Sequence, residues 1–551
     1  MINLLLLTLP SVDSIKANVY FLASEKCEGR FTGSKGEKIA REYIKKKLRS
    51  YGYKVGEQGF KVLVKLEAGK GTFFKIGKSE FQLNKDFLPL SFSSEGKVKG
   101  EVVFAGWGID DSTYSDYQNL DVKDKIVLLF RYSKEDSANR FESFADIPTK
   151  LRIAREKGAK GVILVNPPDY EDELRPIRVN EFQNSGILAV MVKREVAERI
   201  LGRDIKTLYD SLKLKYMSFN TGKTVEMGVK FKKLYKKSAN VYAVLNGKRG
   251  KWIIFGAHYD HLGWGGIGSG SLKPDTNAIH PGADDNASGV SLVLEAARVM
   301  SKNKPNVGYI FVFFSGEELG LLGSKEFVKH LPVPKESVIV YLNFDMVGRL
   351  RDSAFSVLGA KSGEGFDELV ERVAQKNGFK IALGEGAVGP SDHTSFYLAG
   401  IPVAFFFTGT HEDYHKPSDT PDKINYEGIR EILKIALEIA DSLGNRGYMK
   451  YVRVKEEYEG RRTARLKVKL GIIPAYGAPV EGVQVDGVVP GGVAETSGIK
   501  AGDIIVSIGG KTIKNLYDYM DVMSRYNPGD RTVIVVRRSG EFVEIPVEFP
   551  K

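Results

Sequence analysis

The chain has 551 residues, 42% of them hydrophobic, and 81 basic against 69 acidic side chains leave it a net charge of +12. Single cores stop growing at about 250 to 300 residues, so this length implies about three domains. The basic excess is scattered, with no block interleaved with stacking aromatics, which argues against a nucleic-acid binder. The lone Cys27 excludes an intrachain disulfide and leaves any metal site to histidine and carboxylate ligands.

In chain order, MINLLLLTLPSVDS has a short apolar run without a basic n-region or a clear small-residue cleavage site, and reads as a first strand or helix in preference to a signal peptide. No apolar run approaches the ~18 residues a membrane span needs, so a soluble protein with no membrane span is expected. Ile39, Tyr43, Ile44, Leu48 and Tyr51 recur at helical spacing, with Gly52 as the stop. Residues 55 to about 90 are strand-like, and residues 1–89 are grouped as the N-terminal part of a first domain. From 90 to 222, GEVVFAGWGI, DKIVLLF, KLRIAREKGA, GVILVN, ILAVMV and REVAERIL alternate strand with helix, carrying no histidine and no convergent acid pair. Residues 223–448 return to strong α/β patterning: SANVYAVLNG, KWIIFGA, YIFVFF, SVIVYLNF and IPVAFFF as strands, with helices between them and YEGIREILKIALEIADSL closing. Such alternation implies a mostly parallel sheet. A charged connector follows, then a β-rich tail from 463 to 551 with one helix, NLYDYMDVMSRY, and a last strand pair.

The chemistry gathers in the third segment. FVFFSGEELG places Glu317 and Glu318 directly after a strand, where a metal and its water would account for two carboxylates, and an exposed helix N-terminus would equally favour glutamate. All seven histidines fall between 258 and 415. Four strand-like runs each end in candidate ligands: His258 and Asp260, Glu317 and Glu318, Asp345, and His411 and His415. In open α/β sheets such side chains converge beyond the carboxyl ends of the strands.

Three resemblances add to this reading. GEVVFAGWGI, LDVKDKIVLLFR and AREKGAKGVILVN, in order, resemble the protease-associated domain, an insert whose expected role is a spacer or lid. In the tail, the spacing of Ala494, Gly498, Gly502, Asp503 and Gly510 resembles a PDZ domain. Leu470, Gly471 and Ile472 then fall where a carboxylate-binding loop belongs, implying a peptide C-terminus as a possible partner, or a PDZ fold with a blocked groove. The stretches AHYDH, PGADDNASG, FFSGEELGLLGS, NFDMVGR, GPSDHTSF and HEDYHKPSDTPDKI, with GRFTGSKG near the start, resemble the di-zinc aminopeptidase family that includes glutamate carboxypeptidase.

That last resemblance implies an α/β zinc exopeptidase core with two Zn²⁺ per chain. His258 and Asp345 would hold one ion, Glu318 and His415 the other, and Asp284 would bridge them, each ion keeping an open position for water. Asp260 would fix the His258 tautomer, Glu317 would be the general base, and the Asp284–Asp285 peptide would be cis. His261, His280, His393 and His411 are read as pocket or supporting residues, His330 as a surface residue, Ser391 and Asp392 as pocket lining, and Tyr414 as a half-buried aromatic or an oxyanion donor. The expected activity is aminopeptidase cleavage of peptides. A carboxypeptidase of the same fold, with Arg349 and Arg351 as carboxylate binders, a one-zinc glutaminyl cyclase and a non-catalytic scaffold are the alternatives. The complete set of five ligands and a base argues against the last two. The family implies a secreted or periplasmic setting while leaving a cytoplasmic one open.

Overall fold

The structure is a computed structural model that describes residues 9–111, 113–134, 141–266, 269–384, 386–454, 468–474, 481–488, 491–514 and 516–550. The N-terminal MINLLLLT and most of the charged connector lie outside the described residues. The chain divides into two compact units, one of residues 1–64 and 235–459, the other of residues 65–234 and 460–551.

The first unit is built on an eight-stranded mixed sheet. Its centre is four parallel strands in the order Gly308–Phe314, Trp252–His258, Val338–Phe344 and Val403–Phe407. YIFVFF, WIIF and VIVYLNF are near-continuous apolar runs because a central parallel strand is covered on both faces, and all three are almost wholly buried. Antiparallel partners flank this centre, Phe231–Leu245 against the first of these strands and Ala354–Leu358 against the last, with Val55–Ala68 and Lys380–Leu383 at the two edges. Helices Val12–Leu22, Lys35–Ser50, Gly289–Met300 and Tyr426–Arg446 cover one face in a single apolar core. Phe327, Phe396 and Ile401 pack on the other face. The helix read around Ile39 to Tyr51 is Lys35–Ser50, and it turns its Ala40, Ile44 and Leu48 into the core. Its start is capped by Ser34, which accepts from the Glu37 amide at 3.1 Å, while Glu37 accepts from the Gly33 amide, an arrangement close to a capping box.

In the second unit, residues 73–76 and 218–229 pair in the same eight-stranded sheet as Gly96–Ala105, Ile126–Phe130, Gly161–Val165 and Leu188–Val192. Residues 65–89, grouped by sequence texture with the N-terminal segment, therefore fold with this unit. The last four of these strands are mutually parallel, with helix Ile147–Glu156 in the connection between the second and third of them. The tail forms a six-stranded sheet closed by the antiparallel pair Arg531–Arg538 and Glu541–Glu548. Asp518 of its helix Leu516–Ser524 is buried and accepts from Arg155 at 2.7 Å. Among the described residues, no helix is long and apolar enough to cross a membrane.

Candidate metal centre

The carboxyl ends of all four central strands deliver side chains to one place. Trp252–His258 ends on His258, with Asp260 and His261 in the following loop; Gly308–Phe314 leads through Ser315 and Gly316 to Glu317 and Glu318; Val338–Phe344 is followed at once by Asp345; and the chain after Val403–Phe407 brings His411 and His415. Asp284 and Asp285 come from the turn before helix Gly289–Met300. Gly282, at φ +55°, makes that turn possible, because a Cβ there would stand 2.1 Å from the Asp285 carbonyl and 2.5 Å from the His261 ring.

Two clusters of potential ligands result: His258, Asp285 and Asp345, and His261, Asp285 and Glu318. Asp285 belongs to both. Its Oδ1 lies 3.4 Å from His258 Nε2, which is itself 3.3 Å from Asp345 Oδ1. Its Oδ2 lies 3.1 Å from His415 Nε2, which is 3.4 Å from Glu318 Oε2. A carboxylate that divides its two oxygens between two imidazoles has the geometry of a bridge.

The bridging position expected at Asp284 is thus taken by its neighbour. Asp284 turns away into a separate network, accepting from the Gly348 amide at 2.6 Å and approaching His411 Nε2 at 3.2 Å. The amides of both aspartates donate to Asp419 Oδ2, at 2.9 and 3.1 Å. The cis peptide shifts by one residue as well, lying between Asp285 and Asn286.

Of the other expected ligands, His258, Asp345 and Glu318 lie in these clusters, and His415 stands beside the second, against Asp285 and Glu318. His258 Nδ1 lies 3.1 Å from the Asp260 carbonyl oxygen and 3.7 Å from its carboxylate, so the ring is oriented mainly through the main chain. The Asp260 carboxylate instead accepts from the Glu317 amide at 3.2 Å and from Thr32 at 2.8 Å, fixing the segment that carries Glu317. His415 Nδ1 hydrogen-bonds with the Gly270 carbonyl at 3.0 Å. Ser391 donates to Asp345 Oδ2 and accepts from Asn343, both at 2.8 Å, so it orients a ligand where pocket lining was expected. Tyr414 stacks on the His415 ring with centroids 3.8 Å apart.

Electrostatically the site is a set of buried charges that need one another. Burial works against charge on His258, yet the Asp345 and Glu317 carboxylates raise it well above the ordinary histidine range. His415 is likewise lifted to about 9 against the effect of burial, by Asp285 and Glu318. Burial also opposes ionisation of Asp285, but His261, His258 and His415 hold it well below the usual carboxylate range. Glu317 lies in neither cluster. Burial, with Glu318, Asp392 and Asp345 beside it and against the pull of His258, raises it well above the carboxylate range. Burial pushes Asp392 up to about 7. Carboxylates packed so closely that the imidazoles must carry positive charge to compensate are a donor set suited to divalent cations.

The remaining candidates are placed elsewhere. Arg349 Nη2 is shared between Asp419 at 3.0 Å and Asp413 at 3.3 Å. His280 hydrogen-bonds with Ser271 and the Ala278 carbonyl, and His393 is buried against Phe405. His330 is exposed beside Glu326, and Cys27 is a small buried side chain. Sequence reasoning missed Asp285 as the shared carboxylate, and it left His261 among the supporting residues without a contact.

A parallel-sheet crevice lined by two imidazole and carboxylate clusters defines a metal-dependent hydrolase. Residues 240–440 match the profile of peptidase family M28, residues 98–200 that of the PA domain and residues 484–538 that of the PDZ domain, so the chain carries an M28 peptidase region, a PA insert and a C-terminal PDZ domain. It is 29% identical over 421 residues to aminopeptidase YwaD of Bacillus subtilis, covering 74% of this chain and 80% of that one. Among solved structures it is similar to an aminopeptidase from Aneurinibacillus sp. strain AM-1, with a TM-score of 0.51 and 25% identity over 82% of this chain and 98% of that one. It shares the fold of a zinc aminopeptidase from Bacillus subtilis with a TM-score of 0.50 and 24% identity, over 82% of this chain and 97% of that one.

Proposed function

We propose that the chain is a zinc-dependent aminopeptidase that holds two zinc ions and uses Glu317 as its general base. The observation that carries the two-ion reading is the division of Asp285, with Oδ1 toward His258 and Oδ2 toward His415. His258 and Asp345 would hold one ion, Glu318 and His415 the other. Zinc bound there would supply Lewis acidity toward a peptide carbonyl and lower the pKa of a water. The protein's own part is positional and protonic. Asp260 and Thr32 hold the segment bearing Glu317, whose carboxyl lies outside both ligand clusters and would take a proton from water and return it to the departing amine. Arg349 Nη2 is shared between two aspartates, which weakens its grip on a substrate carboxylate and favours N-terminal cleavage. The tail groove beside Leu470, Gly471 and Ile472 would take a peptide C-terminus as an added strand.

Glu317→Gln should keep both metals and lose turnover of an aminoacyl amide by 10²- to 10⁴-fold, because only the proton-transfer role is removed. Glu318→Gln should weaken metal binding as well. Metal analysis beside steady-state kinetics checks both, and loss of metal in Glu317→Gln with retention in Glu318→Gln would reverse the two assignments.

A further inference from the structure

His261 is fully buried and faces the second cluster, and an imidazole there has two possible roles: a ligand of the ion, or a donor to one of its ligands. The distances separate them. Two ligands sharing a tetrahedral ion at zinc bond lengths stand about 3.3 Å apart. His258 with Asp345, His258 with Asp285, His415 with Asp285 and His415 with Glu318 are separated by 3.3, 3.4, 3.1 and 3.4 Å. His261 Nδ1 departs from that pattern in both directions, lying 3.7 Å from Asp285 Oδ2 but only 2.8 Å from Glu318 Oε1. The shorter separation is that of an N–H donating to a carboxylate.

The far nitrogens give a second, independent observation. Nδ1 of both His258 and His415 faces a main-chain carbonyl, as a metal-bound imidazole requires when its other nitrogen carries the proton. His261 Nε2 is buried and has no hydrogen-bond partner among the described residues. If Nδ1 bound metal, Nε2 would carry a stranded N–H; if Nδ1 carries the proton, Nε2 is only a bare lone pair, and stranded donors are the rarer of the two in folded proteins.

We propose that His261 is a positioning residue whose Nδ1–H donates to Glu318 Oε1, leaving Oε2 as the single oxygen that Glu318 presents beside His415. This rests on the two-ion reading of the site. The donor is itself fixed, since the His261 amide donates to the Arg30 carbonyl at 3.2 Å.

The test compares His261→Leu, which deletes the donor, with His261→Asn, whose amide nitrogen can take the place of Nδ1. Zinc affinities are read by chelator competition on full-length protein, and the visible absorption of the cobalt-substituted forms reports the ligand set. His261→Leu should loosen one ion by 10- to 100-fold. His261→Asn should restore that affinity to within about threefold, with a wild-type cobalt spectrum. The proposal is overturned if His261→Asn is as weak as His261→Leu and its cobalt spectrum changes, which would make His261 a ligand, or if His261→Leu binds both ions as tightly as wild type. A wild-type stoichiometry of one zinc would instead sink the two-ion reading, and the contrast between the variants would still be read on the ion that Glu318→Gln loosens.

Discussion

Replacing His393 with phenylalanine should abolish one acid-sensitive contribution to stability. His393 opens helix His393–Leu398, is fully buried, and lies with its ring centroid 4.7 Å from that of Phe405, and neither of its ring nitrogens has a hydrogen-bond partner. Burial alone pushes its pKa down from 6.5 to about 3. A folded-state pKa below the unfolded value means that the contribution is whole above about pH 6.5 and is lost progressively as pH falls toward 3, because the unfolded chain takes up a proton that the folded one refuses. At about 1.36 kcal/mol per pH unit, roughly 2 kcal/mol disappears between pH 7.5 and 5. Any packing cost of phenylalanine is the same at both pH values and cancels. Urea unfolding of wild type and His393→Phe, side by side at the two pH values, should show the variant gaining about 2 kcal/mol relative to wild type at the lower one. A gap between the two proteins that does not change with pH would mean that His393 is protonated or paired in the fold, and the burial argument would fail.

Asp285→Asn should weaken both metal sites and Asp284→Asn neither ligand set directly, since only Asp285 faces both imidazole clusters; metal titration of the two variants decides between adjacent residues that look alike in sequence. Removal of the tail should leave cleavage of a small aminoacyl amide near the full-length rate, provided that the cut spares residues 448–454. A chain ending at Gly447, the boundary suggested by the sequence, would lose buried Met449 and Val454, the Tyr451 hydroxyl bond to the Tyr397 carbonyl and the Val454 amide bond to the Tyr397 hydroxyl, roughly 2 to 5 kcal/mol in all. Melting curves and amide turnover of chains ending at 447 and at 459 check this, and a folded, zinc-loaded but inactive 459-residue chain would place the tail in the active site.

The central strands were legible because parallel strands buried on both faces leave long apolar runs, and the candidates His258, Glu317, Glu318 and Asp345 were legible because each closely follows such a run. The register within PGADDNASG was not. Asp284 and Asp285 have the same side chain, and which of them points into the crevice is set by the turn at Gly282, whose positive φ no composition reveals. The contact that Ser391 makes was hidden for a similar reason. A hydroxyl signals its partner only through geometry, and here the partner is Asp345.

The sequence does not reveal that in the segment from Arg30 to Glu37 two charged side chains, Arg30 and Glu37, are buried. The Arg30 guanidinium donates to four main-chain carbonyls: Tyr259 at 2.9 Å, Leu22 at 2.6 Å, Pro281 at 2.7 Å and Gly282 at 2.9 Å. Three of these lie in the loops after His258 and before Asp285. Glu37, besides capping its helix, accepts from Ser238, from Ser315 at 2.9 Å and from Tyr259 at 3.0 Å, next to the strand ends that carry Glu317 and His258. A buried guanidinium is costly unless its donors are satisfied, and here carbonyls of three separate chain segments satisfy them. The N-terminal segment therefore belongs to the catalytic unit by its hydrogen bonds, although it lies more than two hundred residues away along the chain and contributes no ligand.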